Sequence, residues 1–191
     1  MRLTWNSPVI LGYVLLCAVV LAAASFVSPL ALWYVSLPPS PDFAEPVTWL
    51  RLVTHVAGHA DFEHFAANAV YLLLLGPLVE ARYGSLKLLA CLVATAAATG
   101  LASALFTSGG ILGASGVVFM LIAMSSVTSI RRGDIPLTFL LVTAIFLWRE
   151  LASASPGDGV SHLGHLVGGG CGAVLAFLLA PGGEAGRKVA S

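Results

Sequence analysis

Apolar residues fill most of this chain, and short polar or glycine-rich segments break them into blocks. The longest block carries no charged side chain between Lys87 and Arg131. It is too long for one crossing of a bilayer, because the hydrocarbon core takes roughly 20 helical residues. The block therefore predicts two helices, separated at Thr107-Ser108-Gly109-Gly110.

The whole pattern predicts an all-α, polytopic membrane protein with six transmembrane helices in a single domain over residues 1–191. The first helix is expected to have Pro8 at its first position and Ser7 as its N-cap. Its apolar stretch is too long for a signal peptide, so it is expected to remain as the first span. The expected spans are about 8–26, 64–79, 86–106, 115–129, 136–148 and 162–180.

Composition narrows the class of protein. The chain is 58% hydrophobic and 9% charged, whereas soluble domains carry about 25% charged residues. A separate soluble domain is not expected, and a net charge of zero gives no reason to expect a nucleic-acid partner. Cys17, Cys91 and Cys171 lie in apolar runs, which favours buried packing over a disulfide or redox role.

Basic residues predict the orientation. With six spans and both termini in the cytoplasm, only Arg51 and Arg149 fall on the outer side, as the positive-inside rule requires. The fourth and sixth spans then both begin at the outer side, so Ser115 and His165 can lie at similar depth. Short ends and the lack of a transit-like segment favour a bacterial inner membrane. The basic residues expected in the cytoplasm are Arg2, Arg82, Lys87, Arg131, Arg132, Arg187 and Lys188.

Ser115 begins the fourth span, which is short for a bilayer crossing. A helix that begins there must start below the outer surface. Non-helical backbone at that depth has to be shielded by protein or line a water-filled cavity. The sequence therefore predicts a re-entrant loop over Thr107–Ala114 that opens into a wet pocket. The free N–H groups at the helix start would stabilise negative charge on a substrate carbonyl.

Ser115 needs a base if it is to act as a nucleophile, and His165 is the candidate. The fourth and sixth spans hold no Asp or Glu, so a Ser–His dyad is expected rather than a triad. His165, Gly168 and Gly172 share one helix face, where small residues allow a close approach of the fourth helix. His162 is the rival base, but the glycine register begins at His165.

His64 and Asn68 lie four residues apart in an otherwise apolar helix, so both project from one face. Polar side chains in a membrane span are costly unless they are paired or functional. One interpretation is an interhelical hydrogen-bond pair. Given Ser115, the favoured one is an oxyanion site formed with the backbone N–H of Ser115.

Two charged residues are given structural roles. Arg51 lies in the long outer segment Ser28–Asp61, where aromatic residues and prolines are typical of a loop at the membrane interface. Arg51 is expected to hold that loop through backbone carbonyls. Glu80, at the inner end of the second span, is expected to accept structural hydrogen bonds.

These motifs together resemble those of rhomboid intramembrane serine proteases across the six-helix core. The matching segments are Gly113-Ala114-Ser115-Gly116, the run from His59 through His64 to Asn68, and the run from His165 through Gly168 to Gly172. The family's Trp-Arg pair is Trp49-Leu50-Arg51 here, and Phe119 stands where Tyr often packs on the catalytic His. The resemblance implies the same Ser115–His165 dyad, with Gly113, Gly116 and Phe119 as supporting residues of the site. It also implies that His59 is structural or handles water.

The resemblance implies cleavage of single-span membrane proteins whose helix is destabilised near the outer face. The fifth span and the loop 149–160 would then form a lateral gate. No metal or cofactor is expected, since the chain has no His-Glu-x-x-His run and no pair of membrane carboxylates. Transporter features such as repeated half-helices are also missing from the sequence. Two alternatives stay open: a non-catalytic rhomboid-like scaffold that binds membrane helices, and a rhombosortase-type processor of C-terminal sorting tails.

Overall fold

The computed structural model describes residues 5–127 and 162–179, with isolated positions at 137, 140–141, 143–145 and 148. The expected fifth span and the loop 149–160 therefore lie almost entirely outside the described residues. A 3₁₀ turn spans His55–Ala57. The helices are α1 (Pro8–Phe26), α2 (Leu30–Val35), α3 (Pro46–Thr54), α4 (Phe62–Tyr83), α5 (Ser85–Phe106), α6 (Ser115–Val127) and α7 (His162–Leu179).

Four of the described helices are long and apolar enough to cross a membrane, namely α1, α4, α5 and α7. The helix α6 is apolar but shorter. Large apolar side chains such as Leu15, Leu74 and Phe177 are exposed on these helices. A surface of this kind suits contact with lipid rather than water.

Ser7 occupies the N-cap position of α1, as expected. Pro8 does occupy the first turn, but the Ser7 side chain makes no capping hydrogen bond. Instead the buried carboxylate of Glu80 accepts hydrogen bonds from Val9 N and Ile10 N, each at 3.1 Å. It also accepts one from Ser85 Oγ at 2.7 Å. Glu80 therefore joins the starts of α1 and α5 to the end of α4, as the structural acceptor that was expected.

The helix α4 is longer at both ends than its expected span. Asp61 caps its start by accepting a hydrogen bond from His64 N at 2.8 Å. The helix continues through Pro77 to Tyr83. Gly84, at a φ of 86°, then turns the chain directly into α5.

The helix α6 lies at the centre of the bundle. It packs most extensively on α7 and also contacts α4 and α5. Its buried side chains join those of α1, α4 and α5 in one apolar core. A helix covered on several sides in this way is held mainly by close packing of apolar side chains, since α6 carries no charged residue. The buried α6 side chains of this core are Val117, Val118, Met120, Leu121 and Met124.

The segment between α1 and α4 packs against the loop that enters α6. Leu37 and Ile111 exchange two backbone hydrogen bonds, at 3.1 and 2.9 Å, and form an isolated β-bridge. Arg51 Nη2 donates to the carbonyl of Trp33 at 2.7 Å, and its guanidinium lies 4.0 Å from the centroid of the Trp33 ring. Arg51 thus holds this segment through a backbone carbonyl, as expected.

Candidate active site

Ser115 is the first residue of α6, and its position depends on the two glycines around it. Gly113 has a φ of 118°, which side-chain-bearing residues rarely adopt. The Gly113 N–H donates to the carbonyl of His55 at 2.9 Å. Helical bonding starts directly afterwards, where Val118 N donates to the Ala114 carbonyl at 2.9 Å. The hydrogen bond to His55, in the 3₁₀ turn, therefore fixes the position where α6 begins, and the Ser115 hydroxyl lies at that position.

His165 is the histidine that lies beside Ser115. Its Nε2 is 2.8 Å from Ser115 Oγ, a hydrogen-bonding distance. The ring of Phe119, one turn along α6, packs on His165 with centroids 4.6 Å apart. The ring of His162 is 6.4 Å from that of His165, nearly perpendicular to it. The fold thus brings together two residues that are fifty positions apart in the sequence.

Glycines allow this approach, because the backbones of α6 and α7 touch. A Cβ atom at Gly168 would overlap the carbonyl oxygen of Gly116 and lie 2.7 Å from its carbonyl carbon. A Cβ at Gly172 would lie 2.7 Å from Met120 Cα. A Cβ at Gly116 would meet Thr99 Cγ2 at 3.0 Å and the Gly164 carbonyl oxygen at 3.2 Å. Side chains at Gly168 and Gly172 would force the two helices apart.

His64 borders the loop that leads to Ser115. A Cβ at Gly113 would lie 2.7 Å from His64 Cε1 and 2.8 Å from its Nε2. Gly113 is therefore required by both its backbone conformation and its contact with this ring. Asn68 is buried one turn further along α4, and its Nδ2 donates to the backbone carbonyl of His64 at 3.1 Å. Its amide keeps a second N–H for another acceptor.

His59 lies behind His64 in the short connection before α4. Its ring centroid is 5.0 Å from that of His64 and 5.6 Å from that of Phe65. The side chain is fully buried, and neither ring nitrogen has a hydrogen-bond partner among the described residues. Burial, and then the neighbouring His64, lower the pKa of His59 from 6.5 to about 4. His59 is therefore a neutral, packed ring at physiological pH.

His55 and Thr99 form a supporting pair whose contact the sequence did not predict. His55 Nδ1 lies 3.3 Å from the Arg51 carbonyl, and its Nε2 lies 3.3 Å from Thr99 Oγ1. Burial lowers the pKa of His55 from 6.5 to about 4, so the ring is neutral. A neutral ring can donate from Nδ1 to the Arg51 carbonyl. The Thr99 hydroxyl, which contacts Nε2, also donates to the Thr95 carbonyl at 2.9 Å. The pair holds the carbonyl that binds Gly113, and no local pattern signals a contact between residues so far apart in sequence.

The described ranges contain no group of three or more His, Cys, Asp or Glu placed to hold a metal ion. Cys17 and Cys91 are buried, and Cys171 is half-buried. All three are free thiols.

The helices and the Ser115–His165 pair define a helical integral membrane protein with a serine and a histidine in hydrogen-bonding contact. The sequence model of the Rhomboid domain matches residues 46–182. The chain therefore belongs to the rhomboid family, which confirms the resemblance seen in its motifs.

Two relatives are informative. "Rhomboid-like protein 11, chloroplastic" of Arabidopsis thaliana is 30% identical over 147 residues, which are 69% of this chain and 52% of the relative. "Rhomboid protease GluP" of Bacillus subtilis (strain 168) is 30% identical over 149 residues, 75% of this chain and 29% of the relative. The chain thus spans about half the length of the first relative and under a third of the second.

The glycine contact between α6 and α7 gives a first prediction. Gly168→Ala is expected to lower the melting temperature strongly, because its methyl group must displace the Gly116 carbonyl. Overpacking of this kind costs about 1–3 kcal/mol of unfolding free energy. Gly170→Ala is the matched control, since a Cβ at Gly170 meets nothing within 4 Å. Thermal melting of the two purified variants measures the difference, and equal melting temperatures would contradict the close contact.

Burial of His59 predicts a dependence of stability on pH. Its pKa is about 4 in the folded protein and 6.5 for the ordinary side chain, so the unfolded chain binds the proton more readily. The stabilisation is complete above pH 6.5 and is lost as the pH falls towards 4. His59→Leu, which cannot take up a proton, is expected to lose less melting temperature over that range. Equal pH profiles of melting temperature for the two proteins would refute this assignment.

Proposed function

We propose that this protein is an intramembrane serine protease in which Ser115 is the nucleophile and His165 is the base. The observation that carries the proposal is the 2.8 Å contact between Ser115 Oγ and His165 Nε2. A serine hydroxyl is a weak nucleophile until an adjacent base accepts its proton. Membership of the rhomboid family and the named protease among the relatives support the same conclusion.

The chemistry follows from the two atoms in contact. His165 Nε2 accepts the proton as Ser115 Oγ attacks the scissile carbonyl, so the neutral ring must carry its hydrogen on Nδ1. The imidazolium then donates that proton to the leaving amine. Water deprotonated by the same nitrogen hydrolyses the acyl-enzyme, which restores the free serine.

The oxyanion of the tetrahedral intermediate would be bound by the Ser115 backbone N–H with the His64 ring and the Asn68 amide. The supporting observations are that His64 touches Gly113, and that Asn68 lies one turn away on the same helix. The first N–H groups of a helix have no partner within it and carry the positive end of its dipole. Ser115 occupies that position in α6.

The proposal includes the membrane arrangement expected from the sequence. Six spans would place both termini in the cytoplasm of a bacterium and open the site towards the outer face. The segment Thr107–Ala114 would be the re-entrant loop. Its backbone groups at Ile111 and Gly113 are paired within the protein, as non-helical backbone inside a membrane requires.

Substrates would be membrane proteins with one span and a weak helix near the outer surface. The amide bonds of an intact helix are internally hydrogen-bonded and shielded from Ser115. Glycine costs about 1 kcal/mol and proline about 3 kcal/mol in a helix interior, so segments that contain them unwind most easily. Entry would be lateral, from the lipid.

Loss of either dyad residue is expected to abolish cleavage. Ser115→Ala and His165→Ala should each reduce kcat/KM for a single-span model substrate by about 10³-fold or more. His162→Ala is the matched control, because it removes the neighbouring histidine of the same helix. The assay uses purified protein in detergent, with melting temperatures to show that every variant is folded.

Persistent cleavage by folded Ser115→Ala would exclude Ser115 as the nucleophile. Should wild type not cleave the model substrate, a fluorophosphonate probe separates two cases. Labelling of Ser115 that is lost in His165→Ala would support the dyad and indicate an unsuitable substrate. No labelling would favour the non-catalytic scaffold.

The oxyanion assignment predicts effects on kcat rather than on KM. His64→Ala and Asn68→Ala are each expected to lower kcat by about 10²–10³-fold, because one donor to the developing charge is removed. Val70→Ala changes an exposed side chain of the same helix and should leave kcat unchanged. A loss of less than tenfold in both His64 and Asn68 variants would show that the oxyanion is bound elsewhere.

A further inference from the structure

A groove of about 370 Å³ lies between the first half of α1, the end of α3 with the 3₁₀ turn, and the first half of α5. Its floor is formed by buried residues, among them Val56, Leu92 and Ala96. Its rim includes Leu16, Leu89 and Val93, which are exposed. The groove is therefore continuous with the apolar outer surface of two helices that are long enough to cross a membrane.

The groove offers nothing to a polar ligand. Its two side-chain hydroxyls belong to Tyr13 and Thr54, and both are already bonded within the protein. Tyr13 Oη donates to the Val56 carbonyl at 2.8 Å, and Thr54 Oγ1 donates to the Val35 carbonyl at 3.2 Å. An occupant must therefore be apolar.

The groove is large enough for a hydrocarbon chain. Its volume of about 370 Å³ is more than twice the ~150 Å³ of an apolar cavity that binds benzene. It opens onto the outer surface of α1 and α5, where a bilayer places acyl chains against the protein. An acyl chain from that surface therefore fits both the chemistry and the position of the groove.

We propose that this groove binds one fatty-acyl chain of a membrane phospholipid between α1 and α5. The acyl chain would supply the dispersion contacts that the floor residues lack on their open side. Its position matters because it would touch Val56 and Ala57, directly after His55, whose carbonyl holds Gly113. Binding itself requires only that the protein lies in a bilayer. Any consequence for cleavage rests on the function proposed above.

Two glycines provide a matched test. A Cβ atom at Gly12, which lines the groove, would meet no atom within 4 Å, and the same is true of a Cβ atom at Gly170 on α7. Gly12→Leu therefore fills the groove, whereas Gly170→Leu adds the same atoms to an open helix surface. Leu16→Trp, at the exposed rim, blocks the groove in a second way if Gly12→Leu does not fold.

The experiment uses wild type and variants in vesicles of phosphatidylcholine that carries a diazirine in one acyl chain. After illumination, mass spectrometry locates the adducts. Adducts on Val56, Leu92 or Ala96 are expected in wild type and in Gly170→Leu. In Gly12→Leu or Leu16→Trp they should fall by about tenfold, because the added side chain occupies the same space. Adducts on Leu15, which faces the lipid elsewhere on α1, should be unchanged.

A melting experiment provides an independent readout. In delipidated detergent solution, Gly12→Leu should raise the melting temperature more than Gly170→Leu, and it should reduce the stabilisation gained on adding phosphatidylcholine. Floor residues that remain unlabelled in wild type, or are labelled equally in Gly12→Leu, would overturn the proposal. Neither readout involves cleavage, so a failure of the proposed protease function would leave this test intact.

Discussion

The contact between the backbones of α6 and α7 is the constraint on which the rest of the structure depends. Helices in lipid gain little from the hydrophobic effect when they associate, so they rely on close packing of small residues. Gly168 lies against Gly116, and Gly172 lies against Met120. That register sets the distance between Ser115 and His165. A hydrogen bond between a hydroxyl and an imidazole tolerates only a few tenths of an ångström, whereas one methyl group at Gly168 would separate the helices by more.

The long segment between α1 and α4 provides hydrogen-bond partners for the non-helical backbone that precedes α6. Its buried polar groups must find partners, because neither lipid nor an apolar core supplies any. Leu37 pairs with Ile111, and the His55 carbonyl pairs with Gly113. Arg51 in turn braces the same segment through the carbonyl of Trp33. The segment that appears in the sequence as an interfacial loop therefore provides the backbone partners that a second strand or helix would provide in a soluble fold.

Sequence patterns predicted those features that repeat along the chain or stand out from an apolar background. Apolar runs located α1, α4, α5, α6 and α7 to within a few residues, whereas α2 and α3 lie in the segment that was expected to be an interfacial loop. The glycine register favoured His165 over His162, and His165 is the histidine beside Ser115. The particular partners of polar side chains far apart in sequence were not predicted. Glu80 caps α1 across some 70 positions, and Thr99 supports His55 across 44. Such pairs have no periodicity, so only the folded structure brings them together.

The histidines of this protein have different roles because their surroundings differ. His55 and His59 are buried and hold their protons weakly, so each remains neutral at physiological pH. In His55 both ring nitrogens are occupied by the Arg51 carbonyl and by Thr99. His165 faces the hydroxyl of Ser115, at the start of a helix whose N–H groups favour negative charge. In the proposed mechanism the buried ring of His55 helps to fix the loop before α6, whereas the ring of His165 can accept the proton of the Ser115 hydroxyl. The position of each histidine relative to the backbone, rather than its identity, therefore determines which of them can act as the base.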